Sequence, residues 1–257
     1  MTFDPNELSI IVPAFAVGVL VLATHVPLGM QVLARGIVFI DLAIAQIAGV
    51  GVVLAASLGL ESEGWAVQIA ALSAALAGAL LLTWTEKKYP EAQEPIIGVS
   101  FILAATASVI LLARNVHANE NLRDLLVGQI LWVPTQHLPI VAAIYAVILA
   151  IWFGLRRHIG RVGFYLLFAC AVTVSVQLVG LYLVFSSLII PPLATRRLRR
   201  RRLPVSYALG ALGYALGLAV SVVFDLPSGP VVVWALALLG IAAHAVISSP
   251  SPSQPPS

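Results

Sequence analysis

The chain has 257 residues, 60% hydrophobic and 10% charged, with a formal net charge of +3 and a mean hydropathy of +1.02. Soluble domains carry about 25% charged residues, so the charges here cannot cover a water-facing surface, which excludes an ordinary soluble enzyme or nucleic-acid-binding domain. Apolar blocks of roughly 18 or more residues are what a bilayer-spanning helix requires. The pattern predicts an all-α polytopic membrane protein, a bundle of eight or nine transmembrane helices.

The first block, 8–24, follows Asp4 and Glu7 with no Lys or Arg before it, and reads as a retained span rather than a cleaved leader. His25 ends it in ATHVPLG. The second block, 33–60, carries Arg35, Asp41 and Gln46 in RGIVFIDLAIAQ. The third, 65–84, is followed by Lys87 and Lys88, and the fourth, 96–113, is opened by Glu94 and Gly98 in EPIIG. LRDLLVGQILWVP, Leu122 to Pro134 and including Gly128, is too short to cross and reads as an interfacial or re-entrant helix. Further spans are expected at 138–155, 162–178, 180–195, 204–224 and 230–247. The pair before 196 turns near Gln177–Gly180, and a broken helix there would leave eight full spans. Residues 1–247 are expected to form one membrane domain, and the Pro/Ser-rich tail 248–257 is expected to be disordered.

With nine alternating spans, Arg35, Lys87/Lys88, Arg156/Arg157/Arg161 and the run Arg196–Arg202 fall on one side, while Glu61, Glu63 and Asp225 fall on the other. The positive-inside rule then puts the N-terminus outside and the C-terminus in the cytoplasm. Directly after a span, the arginine run reads as an anchor on anionic lipid headgroups, open also to a cytoplasmic partner. The Ala/Gly-rich stretch Ala70–Leu81 and the GxxxG pair Gly213/Gly217 suit close helix packing in lipid.

No HExxH, GxSxG or phosphate-binding loop is present. Cys170 is the single cysteine and reads as a packing residue. Attention therefore falls on polar groups at membrane depth. Six residues past Arg35 on a continuous helix, Asp41 would lie about 9 Å deeper, where a carboxylate costs about 2.5–3.5 kcal/mol. Such a group either lines a pathway for an ion or substrate, or is protonated or paired with Arg35 in a structural role. Gln46 lies about 140° round the helix from Asp41 and reads equally as an interhelical hydrogen bonder. His25 offers an imidazole ligand, although a single interfacial histidine is commonly an amphipathic anchor. Glu94 suits a helix N-terminus by the dipole alone.

Several fragments taken together resemble the ABC-type zinc and manganese permeases. VGLYLVFSSLIIPPLATRRL, with Gly180, Pro191 and Pro192, resembles their Val-Gly…Leu-Ile-Ile-Pro-Pro/Ala-Ala-Thr signature. DLPSGP, with Asp225, Pro227 and Gly229, is similar to the turn before their last span; LRDLLVGQILWV, EPIIG and RGIVFID match further elements in the family's order. The resemblance implies the membrane subunit of an ATP-driven importer in the bacterial inner membrane. Its substrate would be a divalent metal, zinc or alternatively manganese, passing Asp41 with His25 and Gln46 as further pathway candidates. It also implies a homodimer, a cytoplasmic ABC ATPase subunit that performs the hydrolysis, an extracytoplasmic metal-binding protein and no resident cofactor. Two positions depart from the family pattern. Ala45 stands where the family has a histidine one turn after the aspartate. The family's element between the fifth and sixth spans is reduced to RRHIGRVG, leaving Arg156, Arg157 and Arg161 as the coupling candidates. These departures keep two alternatives open: a permease for a metal chelate or other substrate, and a non-transporting scaffold derived from a permease.

Overall fold

The computed structural model describes residues 5–58, 65–112, 130–133, 136, 138–155 and 158–248. Its helices are α1 (Pro5–Arg35), α2 (Ile40–Ser57), α3 (Trp65–Lys88), α4 (Gln93–Leu112), α5 (Leu138–Leu155), α6 (Arg161–Val179), α7 (Leu181–Ala194), α8 (Arg202–Val223) and α9 (Ser228–Ser248). Two 3-10 turns, Pro90–Ala92 and Ile130–Trp132, complete the described elements, and no strand occurs among them. Seven helices are long and apolar enough to cross a membrane. The 20 residues of α4 also have spanning length, whereas α7 has only 14. The all-α polytopic expectation is met, and the short member is the one expected at 180–195.

One boundary differs. The first helix does not stop at Thr24; it runs on through Pro27 to Arg35. Proline lacks an N–H and leaves the carbonyl four residues earlier without its helical donor. Here that carbonyl is Ala23 O, and it accepts a hydrogen bond from Tyr207 Oη on α8 at 2.9 Å. A neighbouring helix thus replaces the missing donor, which lets a transmembrane helix carry an internal proline. The chain reverses instead at Gly36, whose φ of 71° is the left-handed conformation that glycine adopts without strain. Arg35 therefore ends α1, and Asp41 sits in the first turn of α2. The 9 Å depth expected from one continuous helix does not hold.

Gly180 alone separates α6 from α7, with φ 80°. Inside α7, Pro192 supplies no N–H to Leu188 O, and that carbonyl faces Gly29 of α1 so closely that a Cβ there would lie 1.9 Å from it. The α7 C-terminus is held by side chains. Arg202 Nη2 donates to Pro192 O at 3.1 Å, and Thr195 Oγ1 donates to Pro191 O at 2.9 Å. At the α8–α9 turn, Asp225 has φ 50°, a conformation Asp tolerates better than most residues. Leu226 N–H closes that turn on Ser221 O at 2.9 Å.

The core lies around α6, α7 and the middle of α1, with Phe164, Tyr165, Phe168, Leu183, Val184 and Leu188 buried. On α9, Trp234, Leu238 and Ile241 are exposed at helical spacing. So wide an apolar surface fits lipid rather than water. Gly213 and Gly217 lie against Leu236 and Val232 of α9, where a Cβ would come within 2.4 and 2.5 Å. The GxxxG pair is a helix-packing seam.

Candidate functional site

Asp41 is 0% exposed. Two features of α2 make a carboxylate tolerable there. It occupies the first turn, where the helix dipole favours negative charge. The preceding residue, Phe39, provides no side-chain cap; the Ile40 N–H is taken up by Ile37 O at 3.3 Å, and the two amides after it lie next to the carboxylate. Among the described residues, both Asp41 carboxylate oxygens nevertheless lack a hydrogen-bond partner. The amides of Asp41 and Leu42 are close enough to act on the carboxylate, at geometry short of a hydrogen bond.

Glu94, in the first turn of α4, reaches the same place. Its Oε1 accepts from the Phe39 N–H at 3.3 Å, and its Oε2 is buried without a partner. Glu94 thus caps α2 from a neighbouring helix, a role the dipole reading of α4 misses. The sequence separation of 55 residues hides it from any local pattern. The two acids are near enough for their charges to interact. Together they leave three unpartnered carboxylate oxygens inside the protein. Among the described residues no protein donor satisfies them, which leaves a proton or a cation as the partner such oxygens suit.

Arg35 does not neutralise Asp41. Its Nη1 lies 3.6 Å from Glu86 Oε1 on α3, and its guanidinium sits over the Phe164 ring, 4.3 Å from the centroid. Arg161 Nε reaches the same Glu86 oxygen at 4.0 Å. Glu86 therefore brings the C-terminal ends of α1 and α3 and the N-terminal end of α6 to one end of the bundle. Nothing in the sequence singles it out. Beside it, Gln93 Nε2 donates to Leu82 O at 2.9 Å and to Tyr165 Oη at 3.1 Å, fixing the start of α4 against α3 and α6.

His25 is buried along α1, 0% exposed, and the helix continues past it to Arg35. Its Nδ1 lies 2.9 Å from Val21 O. A carbonyl only accepts, so Nδ1 carries the proton and Nε2 keeps its lone pair. Nε2 is buried with no partner among the described residues. No hydrogen bond or ion pair joins His25 to Asp41. Among the described residues, no three His, Cys, Asp or Glu side chains are grouped to hold a metal. Gln46 is half-buried and Ala45 is buried. Gly98 borders open space, with nothing within 4 Å of where a Cβ would stand. Gly229 is buried beside the exposed Pro227. Gly128, Arg156 and Arg157 lie outside the described residues.

These features define a multi-pass α-helical membrane protein with unpartnered acid oxygens enclosed in its helix bundle. The model of the ABC 3 transport family matches residues 7–164 and 152–247, and the chain belongs to that family. A curated relative, an uncharacterized membrane protein of Synechocystis sp., is 27% identical over 177 residues, 60% of this chain. The alignment spans 63% of that relative's length. A Chlamydia muridarum protein named "Probable metal transport system membrane protein" is 23% identical over 217 residues, 73% of each chain. Among solved structures, PsaBC from Streptococcus pneumoniae in complex with Fab superposes with a TM-score of 0.71 at 22% identity, covering 91% of this chain and 89% of that one. An inward-facing transporter assigned to the metal-chelate ABC type gives 0.67 at 16% identity, covering 96% and 89%. At these identities the structural likeness speaks for the fold.

Proposed function

We propose that this chain is the membrane subunit of an ATP-driven importer of divalent metal ions, zinc first and manganese second. Two copies form the pathway, a separate cytoplasmic ABC ATPase drives it and an extracytoplasmic metal-binding protein loads it. The reading rests on the enclosed, unpartnered Asp41 carboxylate with Glu94 beside it. A permease must lower the cost of moving a dication through a low-dielectric interior. Fixed carboxylates at a helix start, near the basic end of the bundle, serve that purpose without holding the ion permanently. His25 Nε2, pre-set as a lone-pair donor, is a further stopping point on α1. The basic end takes the cytoplasmic side, which leaves Arg156 and Arg157, the arginines just before Arg161, to meet the ATPase. Asp41 lies at that same end.

A metal chelate is the second reading, favoured by the absence of a three-donor group among the described residues and by Ala45. Bare zinc wants about four protein or water donors, whereas a chelate brings its own. Elemental analysis of cells lacking the chain, complemented with wild type or Asp41→Asn, tests the proposal. Wild type should restore cellular zinc or manganese, and the variant, present at equal membrane level, should not. Full restoration by Asp41→Asn would overturn the assigned pathway. Competition of uptake by a chelate and not by the free ion would favour the second reading.

A further inference from the structure

A groove of about 710 Å³ opens where the C-terminal end of α3 meets the N-terminal end of α6. Lys87, His158 and Arg161 line it together with Leu80, Trp84 and Val162. Leu80, Trp84 and Val162 are exposed and continue the lipid-facing surface of the bundle. Lys87 has no acidic partner within ion-pair distance among the described residues. Arg161 holds only the long contact of 4.0 Å to Glu86 and keeps 55% of its side chain exposed. Trp84 belongs to an aromatic corner at the bundle's end. Tyr89 packs edge-on against it, with ring centroids 6.4 Å apart, and Lys88 Nζ lies 5.0 Å above its ring. Trp and Tyr at this level mark the headgroup layer.

We infer that this groove binds the phosphate headgroup of an anionic phospholipid. Lys87, Arg161 and the His158 imidazole would meet the phosphate, and an acyl chain would run along Leu80 and Val162. Basic pockets between transmembrane helices bind such headgroups. The apolar wall directly below the cations is what separates a lipid from a free anion: inorganic phosphate would use only the upper half of the groove. A protein segment would have to cover the exposed apolar wall inside the hydrocarbon layer, where an irregular backbone cannot be satisfied. The site is separate from Asp41, and the inference does not depend on the transported substrate.

Lipid binding to the full-length, detergent-purified protein tests this, with phosphatidylglycerol, phosphatidylcholine and inorganic phosphate as probes in a native mass-spectrometric titration. Phosphatidylglycerol should be retained in preference to phosphatidylcholine, and added phosphate should not displace it. Lys87→Gln should weaken phosphatidylglycerol about fivefold, the equivalent of about 1 kcal/mol for one basic residue at an anionic surface. Lys87→Arg should keep the affinity. Lys87 is exposed, so its variants test binding rather than folding. Equal retention of the two lipids, displacement by phosphate, or an equal loss in Lys87→Arg would each overturn the assignment.

Discussion

Replacing Gly29 by alanine probes the contact between α1 and α7, which the structure builds backbone against backbone. A Cβ at Gly29 would lie 1.9 Å from Leu188 O and 2.9 Å from its carbon, and real Cβ contacts essentially never fall below 3.0 Å. The deficit against the oxygen is 1.1 Å (3.0 less 1.9). A carbonyl fixed in a helix backbone cannot rotate aside, so the helices must part. Over-packing of this kind costs about 1–3 kcal/mol, and the backbone clash puts this site near the upper figure. Alanine offsets about 1 kcal/mol through its better helix propensity. The net loss is about 2 kcal/mol, which for a chain of this size lowers Tm by about 4–8 °C. Thermal unfolding in detergent micelles measures it, with Gly49→Ala as reference. Nothing lies within 4 Å of a Cβ at Gly49, and that variant should be unchanged or slightly more stable. Matching midpoints for the two variants would refute the proposed α1–α7 contact.

Tyr207→Phe removes the donor to Ala23 O, the carbonyl that Pro27 leaves without a helical partner. It should cost about 1–3 kcal/mol by the same assay, whereas a change within error would mean that another donor serves this carbonyl. Glu86→Gln takes the counter-charge from both Arg35 and Arg161. A double-mutant cycle of Glu86→Gln with Arg35→Gln should give a coupling of about 1 kcal/mol, while the more exposed Arg161 pair should give little. Strictly additive effects would show that the Arg35–Glu86 contact carries no energy.

The spans are legible in the sequence because hydrophobic length is a local property, and Lys87, Lys88 and Arg161 mark the ends of the helices that carry them. The stop expected near His25 fails for a definite reason. Pro27 argues locally for a break, and only the distant hydroxyl of Tyr207 makes continuation tolerable. Asp41 stands out because a carboxylate in an apolar run is costly wherever it lies. Its true setting, a helix start opened by Gly36 and shared with Glu94, depends on a contact across 55 residues. A pairing of Asp41 with Arg35 fails likewise, because Glu86 on another helix competes for the guanidinium. Local chemistry is readable from the chain; which polar groups meet is set by the packing of α1, α3, α4 and α6.

Whether Asp41 meets the ion can be seen by anomalous diffraction from the assembled transporter soaked in manganese or zinc. A metal peak is expected within coordination distance of an Asp41 carboxylate oxygen, about 2.0–2.2 Å for zinc, with no such peak in Asp41→Asn. A peak elsewhere in the bundle with Asp41 turned away from it, or one that persists unchanged in Asp41→Asn, would contradict the assignment.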